Sequence, residues 1–318
     1  MANTAFTGLE SDELPPPPTM MAKIGAFVRR QPLGTAGLIL VLVFIAMAAL
    51  ADFVTVYDPE SGEFFDQFVR PYSSSEMTEN YYILGTDEFG RDVFTRIIYG
   101  ARTALLIGLV CSILGSVIGL VLGVASAYFG GWVDTIMQRI MDILMAFPLI
   151  ILALTISIAS KGFLEALEVD NPKDYEIYAV IVAITIPFIP KCARVVRSSA
   201  LAVREIPFID AARANGFSST RIIMRHMVPN VMAPFLIMLT AFIGQAILLE
   251  ASLSFLGLGV TEPDPAWGLM LRSSQEFMRD EAFLAIYPGL AITLAVFGFN
   301  LFGDAVRDAL DPRLRSQS

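Results

Sequence analysis

Side chains able to do covalent chemistry are scarce in this chain. There is one histidine, His226, and there are two cysteines, Cys111 and Cys192. A serine–histidine relay or a histidine-built metal centre would rest on that single imidazole. Both cysteines lie in or beside apolar runs, where a lone thiol packs as a small hydrophobe. Met137, Met141 and Met145 recur at i, i+4 and i+8, a helix-packing stripe and not a soft-metal path. No G-x-x-x-x-G-K-[ST] run occurs, so no phosphate-cradling loop belongs to this chain. The reading is no catalytic residue and no metal ligand.

The remaining chemistry is charge set against apolar sequence. Residues 205–229, EIPFIDAARANGFSSTRIIMRHMVP, form a polar, basic island between two apolar runs. Pro207 suits a first helical position, where its missing N–H costs nothing. Asn215-Gly216 closes that helix, because glycine accepts the left-handed cap conformation. Ser218 caps a second short helix over 219–227, and Pro229 opens the next apolar segment. Two short helices around a tight elbow make a docking element. Arg91, Asp92 and Arg96 precede another apolar run, and Asp92 and Arg96, four apart, can pair on a helix. Thr86 is a candidate cap, with Asp87 and Glu88 in a first turn. Glu250 lies about 20 residues past Pro229, roughly 30 Å along a helix, and so near the opposite surface. It could face a cargo amine or be held by neighbouring groups.

Positioning these groups is the task of long apolar segments. The 318 residues are 55% hydrophobic and only 17% charged, with a mean hydropathy of +0.63. A soluble chain carries about 25% charge, so the composition indicates a multi-span, all-α integral membrane protein. Six spans are expected, at 33–53, 102–128, 140–160, 177–193, 231–249 and 282–302. Pro148 should kink the third, and glycines 108, 115, 119 and 123 should let the second pack closely. Residues 1–32 divide into a disordered acidic tail and an interfacial basic helix. Residues 33–100 hold the first span and an acidic extracytoplasmic region. Residues 101–308 form a core with five spans and a loop at 194–229, and 309–318 is a tail. Seven basic residues between Lys191 and Arg225 place the island, and with it both termini, in the cytoplasm. A net charge of −9 argues against nucleic acid as a partner.

Four runs carry a family resemblance. Asp210-Ala211-Ala212, three residues, Gly216, nine residues, then His226-Met227-Val228-Pro229 resembles the E-A-A…G…I-x-L-P signature of ABC importer permeases. Asp, His and Val replace Glu, Ile and Leu in it. LGTDEFGRDVFTRIIYGAR at 84–102 and EASLSFLGLGVTEPDPAWG at 250–268 resemble runs of the dipeptide/oligopeptide/nickel group. The ending from Phe299-Asn300-Leu301 to Asp311-Pro312-Arg313 resembles that of its C-type permease. The resemblance implies the type I importer fold in a bacterial or archaeal cytoplasmic membrane. It implies a second homologous permease, two cytoplasmic ABC ATPases holding ATP and Mg, and an extracytoplasmic solute-binding protein. No cofactor is expected on this chain itself. The implied ATPase-coupling residues are Pro207, Phe208, Asp210, Ala211, Ala212, Asn215, Gly216 and Pro229. Arg91, Asp92, Arg96, Glu250 and Trp267 are candidates for the path or outer gate. The expected function is ATP-driven import of peptides or related small cargo. The alternative, an ion-driven secondary carrier, would place ionisable groups at mid-membrane and use repeats.

Overall fold

The structure is a computed structural model describing residues 28, 31–166 and 172–310. The acidic tail, most of the basic leader and the Asp311-Pro312-Arg313 ending lie outside the described residues. The first helix, α1 (Pro32–Val54), starts with proline in its first turn and follows the expected first span closely. Residues 55–92 then form a polar cap. Its two-residue strands β1 (Ser73–Ser74) and β2 (Tyr81–Tyr82) pair antiparallel, Ser73 opposite Tyr82. The cap is tied around Asp66, whose carboxylate accepts from Ser75 Oγ (2.5 Å), Thr78 Oγ1 (2.6 Å) and Tyr82 Oη (2.6 Å).

α2 (Val93–Phe129) is 37 residues long and begins nine residues before the span at 102. Its N-cap is Asp92, which accepts from the amide (2.9 Å) and hydroxyl (2.6 Å) of Thr95. The expected cap, Thr86, is instead buried in the polar cap, accepting from Val69 N at 2.8 Å and donating to Asp66 O. Asp87 Oδ1 accepts from Phe89 N and Arg91 N, both at 2.9 Å, which holds a turn at 85–92 ahead of the helix.

α2 ends at Gly130, and the third span is where sequence and structure part. Residues 140–160 are not one helix. α3 (Gly131–Met145) and α4 (Leu149–Ala166) meet at a 96° bend around residues 146–148. Pro148 disfavours helical backbone at Phe147, so the chain breaks there where a kink was expected. α5 (Pro172–Arg204) departs in the other direction, being far longer than the expected span at 177–193. It carries Pro187 and Pro190 inside a continuous helix, tolerated where neighbouring helices satisfy the freed carbonyls. Lys191, Arg194, Arg197 and Arg204 therefore belong to a helix, and the loop drawn from 194 begins only after Arg204.

α6 (Pro207–Ala214) and α7 (Ser219–Ile222) make up the island. α7 runs on through a π turn (Ile223–Met227) and a 3-10 turn (Val228–Val231) into α8 (Met232–Phe255). α9 (Trp267–Ser273) sits in the second polar loop, and α10 (Phe283–Leu310) closes the described chain. Five of these helices are long and apolar enough to cross a bilayer, and the bent pair makes six if taken as one span.

Small residues set the packing. A Cβ on Gly115 would lie 2.8 Å from Phe188 Cβ, and one on Gly119 would lie 2.6 Å from Cys192 Cβ. α2 and α5 thus approach at van der Waals range along the glycine face, the contact that holds helices together once lipid removes the hydrophobic drive. α1 lies antiparallel to α10, with Gly34 against Ala305 and Gly37 against Leu301. The start of α1 and the end of α10 consequently share one face. Tyr128 at the end of α2 bonds Ser219, and Arg204 at the end of α5 bonds Ala127 O, so the island lies on that same face. The basic residues there mark it as cytoplasmic.

Candidate coupling site and the outer charge cluster

The island is built as two faces. On α6, Ile209 is fully buried and Ala212 nearly so, which seats the helix on the bundle. Pro207, Phe208 (40% exposed), Asp210, Ala211, Arg213 and Asn215 are exposed. The two alanines therefore do different things. Ala212 permits close approach to this chain's own core, and Ala211 faces outward. Gly216 sits at φ +74°, with Gly216 N donating to Arg213 O (2.9 Å) and Phe217 N to Ala212 O (3.2 Å). This is the left-handed cap expected from Asn215-Gly216. Asn215 Nδ2 adds a bond to Ala211 O at 2.7 Å. Ser218 Oγ caps α7 by accepting from Arg221 N at 3.4 Å. Pro229 is exposed within the 3-10 turn, one turn before α8.

The elbow is braced from several sides. His226 lies between two rings, its centroid 5.9 Å from Phe208 and 6.2 Å from Phe217, stacked on the latter. The Arg213 guanidinium lies over the Tyr128 ring and also reaches Asp210 at 3.2 Å. Below the island, Arg197 holds Asp134 through two bonds of 2.6 and 2.5 Å, clamping α5 to α3. Arg194 pairs with Asp142 at 2.6 Å on the same two helices. Several of the basic residues that sort the chain in the membrane thus also brace the helix leading into the island.

On the opposite face the candidate gate residues resolve into separate groups. Arg91 and Arg96 are almost fully buried rather than lying at the membrane surface. Arg91 Nε donates to Asp87 Oδ2 at 2.7 Å, and its Nη1 pairs with Glu262. Arg96 is 3.7 Å from Asp87 and 3.5 Å from Glu262, and Nη1 donates to Pro59 O (2.7 Å) and Pro263 O (3.1 Å). The expected Asp92–Arg96 pair does not form: Asp92 Oδ2 caps α2, Oδ1 has no hydrogen-bond partner among the described residues, and Arg96 is directed to Asp87 and Glu262 instead. Burial raises the Asp92 pKa, against the bonds from Thr95. The two arginines fasten the first polar cap to the second polar loop. Glu262, which sequence reasoning passed over, is 171 residues from Arg91, and no local spacing signals it.

Glu250 is 1% exposed and accepts from Ser254 Oγ at 2.7 Å, while Ser254 Oγ also accepts from Val260 N at 3.2 Å. It ties the end of α8 to the following loop instead of facing an open path. Trp267 is likewise 1% exposed; its Nε1 donates to Ile97 O at 2.9 Å, and its ring meets Phe44 edge-on. Both are built into the packing. Among the described residues no cluster of three or more His, Cys, Asp or Glu is arranged to hold a metal ion.

The site thus consists of a short exposed helix on one end of an apolar bundle and a tied polar cap on the other. The sequence profile of the binding-protein-dependent transport system inner membrane component matches residues 115–316, and the chain belongs to that family. A provisionally named peptide transport system permease protein of Brucella abortus (biovar 1, strain 9-941) is 41% identical over 281 residues, 88% of each chain. The dipeptide transport system permease protein of Alkalihalophilus pseudofirmus is 38% identical over 91% of this chain and 88% of its own. The glutathione transport system permease protein of Pectobacterium atrosepticum is 38% identical over 90% and 89%. Among solved structures, an inward-facing methionine ABC transporter shares the fold, with TM-score 0.54 at 20% identity over 69% of this chain and 97% of that one. The chain is an inner-membrane component of an ABC import system, and the ion-driven alternative is set aside.

Proposed function

We propose that this chain is the C-type permease subunit of an ATP-driven importer of peptides or related small cargo. It works beside a second homologous permease, two cytoplasmic ABC ATPases and an extracytoplasmic binding protein. ATP and Mg are handled by the ATPases, and this chain contributes no catalytic residue. The cargo class rests on relatives that are peptide, dipeptide and glutathione permeases.

The observation carrying the mechanical part is α6. It is short and capped at its C-terminal end, seated by Ile209 and Ala212, and exposed along Phe208, Asp210 and Ala211. A rigid helix transmits displacement that a loop would absorb. ATPase closure pushes α6, and the braced end of α5 passes that motion to the spans through Arg197–Asp134 and Arg194–Asp142. The test is Ala211→Arg in the assembled transporter, which alters only the outward face. Uptake should fall at least roughly tenfold while the subunits still co-purify. Wild-type uptake and cargo-stimulated ATP hydrolysis in that variant would refute the coupling role.

A further inference from the structure

The outer face carries a cavity that neither the coupling site nor the helix packing uses. It measures about 420 Å³ and lies between Glu88-Phe89 of the first polar cap and the loop from Gly257 through α9 to Phe277. That volume falls in the range of small-molecule sites. Its charges are mixed. Arg272 lies in it with its guanidinium laid against the backbone of Gly257, where a Cβ would collide with the guanidinium itself. Gly257 is at φ +78°, a backbone conformation that favours glycine, and the Arg272 guanidinium packs where a side chain would otherwise start. No hydrogen bond or ion pair to Arg272's guanidinium is seen among the described residues, in contrast to Arg91 and Arg96 a short way below. Glu262 is occupied by those two arginines, which leaves Glu88 and Glu276 as the carboxylates facing the cavity. Phe89 and Phe277 supply apolar wall.

A free guanidinium and two carboxylates around one cavity with aromatic sides are complementary to a small zwitterion. We propose that this cavity is an outer cargo subsite for a short peptide, with Arg272 taking the C-terminal carboxylate and Glu88 and Glu276 taking the α-ammonium group. Guanidinium and carboxylate pair through charge-assisted bonds with fixed geometry, so a site built this way senses whether both peptide ends are free. The proposal rests on the peptide-import reading above and adds a specificity-determining residue to it.

The test uses the complete transporter in proteoliposomes with its binding protein, and dialanine and dialanine amide as probes. The amide lacks the carboxylate that Arg272 would hold. The apparent KM for each is measured with wild type, Arg272→Gln and Arg272→Lys. The wild-type preference for dialanine over the amide should shrink by roughly tenfold in Arg272→Gln and be partly restored in Arg272→Lys. The binding protein is identical in every arm, so a changed preference belongs to this chain. A merely structural arginine would slow both probes equally; an unchanged preference in Arg272→Gln overturns the subsite. If wild type transports neither these probes nor any of a panel of di- to pentapeptides, the peptide-import reading falls, and the subsite with it.

Discussion

At the residue scale, the molecule places its buried charges where they fasten segments together. Asp66 is fully buried. Burial would raise its pKa, but the bonds from Ser75, Thr78 and Tyr82 outweigh that and hold it below the ordinary carboxylate value. A depressed folded pKa stabilises above the unfolded value of about 3.9, and that contribution is lost as pH falls through the folded one. Hydrogen-exchange protection factors of the amides at 66–82 should therefore be steady from neutral pH to about pH 5 and drop below about pH 4, while those of α2 and α5 hold. Asp66→Asn should abolish that acid step. Arg91→Met leaves Asp87 buried without its closest cation. It should cost about 3 kcal/mol, the low end for a broken buried pair, because Glu262 is partly exposed. Thermal unfolding of the purified transporter checks this. The sequence made Arg91, Asp92 and Arg96 visible as a group. Glu262 was not legible as the arginines' partner, because it lies 171 residues from Arg91. Glu250 and Trp267 stood out as polar or aromatic groups in special runs, and their burial is a tertiary fact.

At the element scale, local signals read well and long-range constraints did not. The proline start and glycine stop of α6 and the cap at Ser218 follow from sequence directly, since each depends on residues within one turn. The broken third span and the extension of α5 to Arg204 depend on neighbours. Hydropathy marks where apolar residues stop, but α5 continues because Arg194 and Arg197 find Asp142 and Asp134 on α3. The glycine face of α2 was legible as a packing face, while its partner, α5, was not. Gly119→Leu should force α2 and α5 apart, because Cys192 Cβ already lies where the new side chain would start. The expected penalty is about 1–3 kcal/mol or more, read as a lower midpoint for thermal inactivation of the detergent-solubilised transporter. Gly216→Ile tests the elbow differently. Nothing lies within 4 Å of the added Cβ, so its cost is backbone strain at φ +74° alone. Uptake should fall while assembly persists, and exchange of the α6 amides should quicken.

At the scale of the whole molecule, the chain divides its work between two ends. The cytoplasmic end presents a braced helix, and the outer end presents a polar cap pinned to the loop around α9. Between them run apolar helices whose contacts are glycines and small side chains. Composition alone was sufficient to establish a multi-span protein, and the four motif runs pointed to the importer family. The partition of the outer end into a fastening cluster and an open cavity needed coordinates, since Gly257, Arg272 and Glu276 carry no motif that marks a site. On the proposed function, ATP hydrolysed by partner subunits powers transport, and this chain does not. The direct measurement is uptake of labelled dialanine into proteoliposomes holding both permeases, both ATPases and the binding protein, with ionophores collapsing every ion gradient. Uptake should persist without gradients and disappear when ATP or the binding protein is omitted. Gradient-driven uptake by this chain alone, independent of ATP, would contradict the account.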